Sequence, residues 1–209
     1  MKKALLLLTV FFLFICSSFA QVKISGGVLG GLNLANASLS LDLSGTGASK
    51  DNLTGFGAGA VVTFEFPGGF GIQAEPMYIQ NGVKLSGQGV EEKIKLNYIE
   101  IPAILTYTFD TGQAQAEPYL MAGLVLGLRT SAKVSFNGTE QDIKDQTKGS
   151  NFGGTFGAGV KIPVGMNKIF VEGRYTIGFQ DVLDTPNAAF TLKTRGLAFF
   201  AGITFPFGL

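Results

Sequence analysis

Residues 53–66 read LTGFGAGAVVTFEF, and this stretch decides the fold because bulky and small side chains alternate along it. Phe56 and Phe64 fall on one parity together with alanine and valine, while glycines, Thr63 and Glu65 fall on the other. Successive side chains of a β-strand point to opposite faces. The pattern therefore predicts a strand with one oily face and one face of small or charged residues.

The same period of two recurs in eight segments of the chain. They span residues 22–35, 53–66, 70–85, 93–109, 117–134, 152–164, 169–182 and 192–207. Short turns (67–69, 110–116, 165–168) alternate with mostly longer polar loops (36–52, 86–92, 135–151, 183–191). Short turns and long loops thus lie at opposite ends of the sheet. This asymmetry predicts an all-β, eight-stranded, antiparallel up-and-down transmembrane β-barrel with both termini in the periplasm.

The composition also favours a membrane environment. Lys and Arg number 16 and Asp and Glu 15 among 209 residues, so only 15% are charged, against about 25% in an average soluble protein. The 30 glycines disfavour long helices, because glycine costs roughly 1 kcal/mol relative to alanine in a helix. A net charge of +1 without a basic block argues against nucleic-acid binding.

The face that points outward distinguishes a membrane barrel from a soluble, lipocalin-like one. A soluble surface carries about 25–35% charged residues, whereas the polar face here is rich in glycine. The bulky rows would also overfill an eight-stranded interior. We therefore predict that they contact outer-membrane lipid, with an aromatic girdle beside the periplasmic turns. The predicted girdle comprises Phe64, Phe66, Phe70, Tyr107, Phe109, Phe205 and Phe207.

The start of the chain has the pattern of an export signal. Two lysines precede an apolar run that ends at Cys16, and Ser18-Phe19-Ala20 offers small residues for cleavage. We expect residues 1–20 to be a cleaved signal peptide and residues 21–209 to form the barrel domain in the bacterial outer membrane. Lipidation at Cys16 is the competing interpretation, but lipobox processing needs a small residue where Ile15 stands. Cleavage removes the only cysteine, and histidine is absent.

Charged residues on the polar parity are predicted to lie in the lumen. Because an unpaired buried charge costs several kcal/mol, they should form a cross-barrel network. The predicted members are Lys23, Glu65, Glu75, Glu100, Glu117, Lys161, Glu172 and Arg174. Arg174 is the expected hub, since a guanidinium can bridge two carboxylates. The network would serve either as packing that fixes strand register or as an ion or proton path. Acidic members are in excess, so a bound cation or a protonated carboxyl would balance the charge.

Catalysis is not expected. Carboxylates such as Glu75 and Glu100 could act as acid and base only next to a substrate pocket, which a filled lumen does not supply. A chain without histidine has no Ser-His pair. The glycine runs at 26–31 and 55–59 are not followed by a helix pattern, so they are not nucleotide-binding fingerprints. We expect no catalytic residue, no cofactor and no metal.

Three stretches resemble a known family. GGVLGGLNL (26–34), NYIEIPAIL (97–105) and AGITFPF (201–207) are similar to the porin-like outer-membrane β-barrel family of Bacteroidetes. That family includes PorT-like proteins, and its barrels are similar to the small OmpX and OmpA type. The resemblance implies insertion by the barrel-insertion machinery through the C-terminal strand. Phe207, which resembles the terminal aromatic signal, is followed here by Gly208 and Leu209.

Together these features predict a non-enzymatic outer-membrane barrel with a mostly occluded lumen, acting structurally or through its extracellular loops on a surface partner. Loops 36–52 and 135–151 are the longest, and loops held on a rigid scaffold commonly carry recognition. Two alternatives stay open. One is a narrow porin for small solutes or ions, and the other is a PorT-like accessory that contacts a secretion partner.

Overall fold

The computed structural model describes residues 22–39, 48–87, 90–112, 115–136, 139–184 and 191–207. The predicted signal peptide, Gly208 and Leu209 lie outside these ranges. The strands are β1 (Lys23–Leu39), β2 (Ala48–Asp51), β3 (Leu53–Glu65), β4 (Phe70–Ala74), β5 (Met77–Gly87), β6 (Val90–Thr108), β7 (Glu117–Phe136), β8 (Thr139–Asp142), β9 (Ser150–Val164), β10 (Asn167–Gly178) and β11 (Leu192–Phe207), with a short 3-10 helix at Lys144–Gln146. In this part of the chain, no helix has the length and apolarity to cross a membrane.

The strands form one antiparallel sheet that closes on itself. Pairing runs from β1 through β3, β4 and β5, β6, β7, β9 and β10 to β11. β11 then pairs back to β1, from Ile24 opposite Phe207 to Leu39 opposite Leu192. An open edge in hydrocarbon would leave unpaired amides that cost several kcal/mol each, and closure removes that edge. The sheet therefore closes, as the predicted barrel requires.

The structure corrects the predicted count of eight strands, because eleven occur in the described ranges. The segment predicted as one strand over 70–85 is interrupted at Glu75-Pro76, so β4 and β5 share one position in the ring. β2 and β8 are four-residue strands in the segments predicted as loops 36–52 and 135–151. They extend β5 and β7 beyond the ring.

Two prolines account for the break between β4 and β5. Proline has no amide hydrogen for the ladder, and Pro76 and Pro102 face the same gap. There the amide of Glu75 donates to the carbonyl of Pro102 at 3.2 Å, and the amide of Ala60 donates to the carbonyl of Pro76 at 3.0 Å. The Glu75 side chain at this irregularity is fully buried inside the ring.

A β-bulge near the loop end reverses the direction in which the following side chains of β7 point. The register shifts between Asn97 and Tyr98 of β6 and leaves Thr130 of β7 without a cross-strand partner. The Thr130 hydroxyl donates to the Asn97 carbonyl at 3.1 Å. One extra residue moves the following side chains to the opposite face, so Lys133 is exposed on the outside of the ring.

Exposure alternates along the strands, with bulky residues outside. On β11, Leu197, Phe199 and Phe205 are exposed, while Thr194 and Ala198 are buried. The predicted outward face is thereby confirmed. A continuous apolar surface of this kind needs an apolar environment. Other exposed members are Val28, Leu32, Phe56, Ile101, Leu105, Leu120, Leu124, Phe156 and Val171.

The interior holds large aromatic side chains as well as the small and ionic residues that the pattern predicts. Tyr98, Tyr119, Phe170 and Phe200 are at most 4% exposed and point inward. Inward glycines make room for them: a Cβ added to Gly159 would stand 2.6 Å from the Tyr119 hydroxyl oxygen. Aromatic rings and glycines thus fill the lumen together.

Candidate functional site

Many of the inward polar side chains form three layers along the ring axis. The turn-end layer consists of Glu65, Glu117, Lys161 and Lys168, and the central layer of Gln73, Glu75, Tyr119, Glu172 and Arg174. The loop-end layer consists of Asn33, Asn81, Glu100, Asn151 and Thr194. Each layer joins side chains from several strands, so the contacts depend on how the strands stagger around the ring.

Two lysines and two glutamates form the turn-end layer. Lys161 Nζ lies 2.8 Å from Glu65 Oε1, and Lys168 Nζ lies 3.3 Å from Glu65 Oε2 and 2.9 Å from Glu117 Oε2. Lys168 is missing from the predicted network because the sequence places it in a turn, whereas it belongs to β10. Its shared parity with Glu172 and Arg174 is the signal that could have found it.

Arg174 is the centre of the middle layer. Its side chain is only 3% exposed, and its Nη1 contacts Glu75 and lies 3.5 Å from Glu172 Oε1. The guanidinium also lies 4.3 Å above the centre of the Phe200 ring. The structure thus brings together the predicted hub and two of its predicted partners, which come from the break beside β4 and from β10 itself.

Two neutral side chains complete the central layer. The Tyr119 hydroxyl donates to Glu172 Oε2 at 2.5 Å, and Gln73 Nε2 donates to Glu75 Oε1. The carboxylates therefore receive hydrogen bonds in addition to the single guanidinium, which buried charges require. Tyr119 is absent from the predicted network because an aromatic residue is counted as bulky and apolar in an alternating pattern, although its hydroxyl can donate a hydrogen bond.

Amides dominate the loop-end layer. Asn33 Nδ2 donates to Asn81 Oδ1 at 2.7 Å, and Asn81 Nδ2 donates to Glu100 Oε1 at 3.0 Å. Asn151 Nδ2 donates to Thr194 Oγ1 at 2.8 Å. Glu100 is thus held by a neutral amide, where the sequence predicts an ion pair. The asparagines lie outside the predicted network because they carry no charge, and the network is predicted from the cost of leaving a buried charge unpaired.

Lys23 lines the open turn-end space together with Glu65 and Lys168, but it is not one of the buried charges. Its side chain is exposed at the first residue of β1, at the rim of the turn end. Lys23 is opposite Glu65 in the β1–β3 register, but Glu65 contacts Lys161 and Lys168 instead. Water can solvate an ammonium at the open rim, so no buried partner is required there.

Two spaces of very different size lie on either side of the central layer. A vestibule of about 800 Å³ opens at the turn end, with Glu65, Glu117 and Lys168 in its lining. The cavity beside Glu100 and Asn151 measures about 20 Å³, and a single water needs at least about 10–15 Å³. In the described part of the chain, the central layer separates these two spaces.

Residues 139–149, called the loop cap here, fold over the opposite end. The Arg129 guanidinium donates to the Lys144 carbonyl at 2.9 Å and to the Thr147 carbonyl. The Lys148 amide donates to the Val182 carbonyl at 2.7 Å. Ile143 of the cap packs on the buried core cluster that contains Val182. The cap is therefore anchored both to β7 and to the segment that follows β10.

An ionic ridge on the outer face joins Glu140 of the cap to β6 and β7. Lys95 and Lys133 each contact Glu140, at 2.8 Å and 3.0 Å. Hydrogen bonds from Lys95 and Lys133 lower the pKa of Glu140 to about 2. Such exposed pairs add little stability, but they fix the position of β8 on the surface.

The residues of the predicted aromatic girdle lie at the turn end. The Phe70 and Tyr107 ring centroids are 5.0 Å apart, as are those of Tyr107 and Phe109. Phe66 is partly buried. Phe64, Phe70, Tyr107, Phe109, Phe205 and Phe207 are exposed. Across the described ranges, no three His, Cys, Asp or Glu side chains are grouped to hold a metal ion.

The chain matches one family model, described as outer membrane protein beta-barrel domain, over residues 19–184. No curated protein matches it. Neisserial surface protein A (NspA) has a similar crystal structure, with 20% identity, a TM-score of 0.52 and coverage of 87% of this chain and 97% of that chain. OprG from Pseudomonas aeruginosa is 16% identical, with a TM-score of 0.46 and coverage of 90% of this chain and 96% of that chain. Ail of Yersinia pestis is 16% identical, with a TM-score of 0.47 and coverage of 87% of this chain and 98% of that chain. At such identities the likeness to NspA shows the fold alone. Because the family model spans well over half of its length, the chain belongs to the outer membrane β-barrel family, whose members lie in the bacterial outer membrane.

Proposed function

We propose that this protein is a non-enzymatic outer-membrane barrel with eight strand positions and an occluded lumen, which acts on a surface partner through its loop cap. The central layer carries the proposal. Arg174 lies between two buried carboxylates and on an aromatic ring. Moving Arg174 aside would leave the charges of those two carboxylates uncompensated in a low-dielectric interior.

The size of the internal cavity supports occlusion. Its volume of about 20 Å³ accommodates about one water, whereas a hydrated ion carries a full shell of waters. Ile143 of the loop cap packs on the buried core cluster that contains Leu96 and Val182. The central layer therefore functions as interior packing that holds the strands in register, rather than as a conducting path.

The proposed orientation puts the turn end in the periplasm and the loop cap outside the cell. β1 begins and β11 ends at the turn end, so both termini are periplasmic. The exposed apolar rows contact lipid, and Phe207 at the end of β11 takes part in insertion. Tight periplasmic turns and larger outer loops are usual for such barrels.

Recognition is assigned to the loop cap because it is both polar and fixed in place. Glu140, Lys144 and Asp145 are exposed on it, while backbone hydrogen bonds tie the cap to residues 182–184. A fixed loop loses little conformational entropy on binding a partner. This arrangement favours a protein or glycan on the cell surface as the partner.

The finer assignment to PorT-like proteins of Bacteroidetes rests on the stretches 26–34, 97–105 and 201–207. It would make the protein an accessory of a secretion system. The other candidate is a narrow pore, which the vestibule of about 800 Å³ favours at one end. Single-channel recording separates the narrow pore from the occluded barrel, and co-purification with a translocon component would identify the secretion accessory.

Single-channel recording tests occlusion. Mature protein inserted into planar bilayers should give no discrete conductance steps in concentrated KCl, because the central layer blocks the lumen. Heat-modifiable gel migration and circular dichroism of the same preparation verify that the barrel is folded. Reproducible steps, abolished by Ala198→Leu inside the lumen but not by Ala201→Leu on the outer face, would establish the pore and overturn the proposal.

Cysteine labelling tests the orientation. Because no cysteine occurs after residue 16, each introduced cysteine is the single labelling site of the mature protein. Asp145→Cys in the loop cap should react with a membrane-impermeant maleimide on intact cells. Met166→Cys, at a turn-end site that is 74% exposed, should react only after the outer membrane is permeabilised. The reverse order of reactivity would invert the proposed topology and remove the loop cap as a recognition surface.

A further inference from the structure

Two neighbouring cations near the loop end differ from the two lysines of the ionic ridge. Lys193 and Arg195 lie two residues apart on β11 and are both exposed on its outward face. Lys95 and Lys133 of the ionic ridge share Glu140 as an ionic partner, but neither Lys193 nor Arg195 forms an ion pair with another residue of the described ranges. We propose that this rim cation pair binds phosphate groups of an outer-leaflet lipid headgroup, which rests on the orientation proposed above.

The height of the pair on the barrel supports this site. Arg195 is ten residues from Phe205 of the aromatic girdle along β11 (205 minus 195). At about 3.3 Å per residue and a tilt of about 40°, ten residues rise about 25 Å, the height of the apolar band of such barrels. Arg195 therefore lies at the far boundary of the hydrocarbon, and Lys193 about 5 Å further into the headgroups.

The surface between the pair and the girdle suits an acyl chain. Along the outward face of β11 the row continues with exposed Leu197 and Phe199 and then Ala201. On β10, Ile177 is the cross-strand neighbour of Arg195. On β1, Ser38 is the neighbour of Lys193 and offers a hydroxyl at headgroup height. A lipid can thus place its phosphate on two cations while its chain packs on the apolar row.

The chemistry of the two side chains fits phosphate. A guanidinium binds a phosphate with two parallel hydrogen bonds, and an ammonium adds a compact positive charge. Cations that only snorkel to the interface would be satisfied by water and by any headgroup. A preference for phosphate therefore separates a binding site from snorkelling.

Native mass spectrometry of the full mature protein in detergent micelles tests the site. The probes are bisphosphorylated lipid A and the same lipid with both phosphates removed. We expect the phosphorylated form to stay bound, and K193Q/R195Q to weaken it at least about tenfold, as expected for losing charged hydrogen bonds. The matched variant K95Q/K133Q removes two cations that already have Glu140 as partner, so it should bind like the wild type.

Three results would overturn the proposal: equal retention of the two probes, no loss in K193Q/R195Q, or an equal loss in K95Q/K133Q. The single variants K193Q and R195Q, each expected to give an intermediate loss, replace the double variant if it does not fold. Excess inorganic phosphate should compete weakly, and complete displacement by it would indicate a free-phosphate site instead of a lipid site. Micelles have no sidedness, so failure here is distinguishable from failure of the orientation measured by cysteine labelling.

Discussion

Arg174→Met is expected to destabilise the barrel by roughly 3–5 kcal/mol, the usual cost of removing one partner from a buried ion pair. Arg174 contacts Glu75 and Glu172, which are 0% and 2% exposed. Methionine keeps an unbranched chain against Phe200 but leaves two carboxylates without a cation. Reversible urea unfolding in lipid vesicles, followed by circular dichroism, measures the loss.

The charge origin of this loss can be separated from packing. Arg174→Met combined with Glu75→Gln and Glu172→Gln removes the unpaired charges while keeping the shapes, and replacing a whole buried ion cluster is often nearly neutral. The triple variant should therefore recover most of the stability. A triple variant as unstable as Arg174→Met would show that the contact with Phe200 matters more than the charge.

Ile101→Arg should cost roughly 2–4 kcal/mol, as expected for a cation on the lipid face at the bilayer midplane. Ile101 is 43% exposed on β6 and faces outward. It lies midway between Tyr107 of the aromatic girdle and Lys95 of the ionic ridge, six residues from each (107 minus 101 and 101 minus 95). The same urea unfolding experiment reports the change.

Asn97→Arg is the matched control for depth. It adds the same side chain to the same outward face of the same strand, four residues closer to the loop end (101 minus 97). Near the interface the cost of an arginine falls to roughly 0–1 kcal/mol. Equal losses for Ile101→Arg and Asn97→Arg, or no loss for either, would contradict the assignment of this face to lipid.

Strand positions were predictable because they depend on local alternation. The predicted segment 192–207 matches β11 residue for residue, and 53–66 exceeds β3 by one residue. The misses occur where the local rule is interrupted. Pro76 splits a predicted strand in two, and Thr130 inserts one residue into β7. The presence of a proline or a threonine does not predict whether its strand breaks or bulges, since that depends on the partner strand.

The candidate site was predictable as a set of inward charges but not as a set of contacts. Arg174 and Glu75 are 99 residues apart in sequence and contact each other in the lumen. Lys23 has the correct parity but lies at the rim, and Lys168 belongs to the network although the sequence places it at the end of a predicted turn. Position along the axis decides both cases, and it follows from the stagger between strands.

Away from the bulge at Thr130, the sequence alone determined which side chains face lipid and which face the axis, because a period of two is a local property of extended backbone. It also determined that the sheet must close, since hydrocarbon tolerates no unpaired edge. Only the tertiary structure decided that Arg174 contacts Glu75 and Glu172 while Glu100 is bound by Asn81. Those choices depend on the relative height of residues on distant strands, which no local pattern encodes.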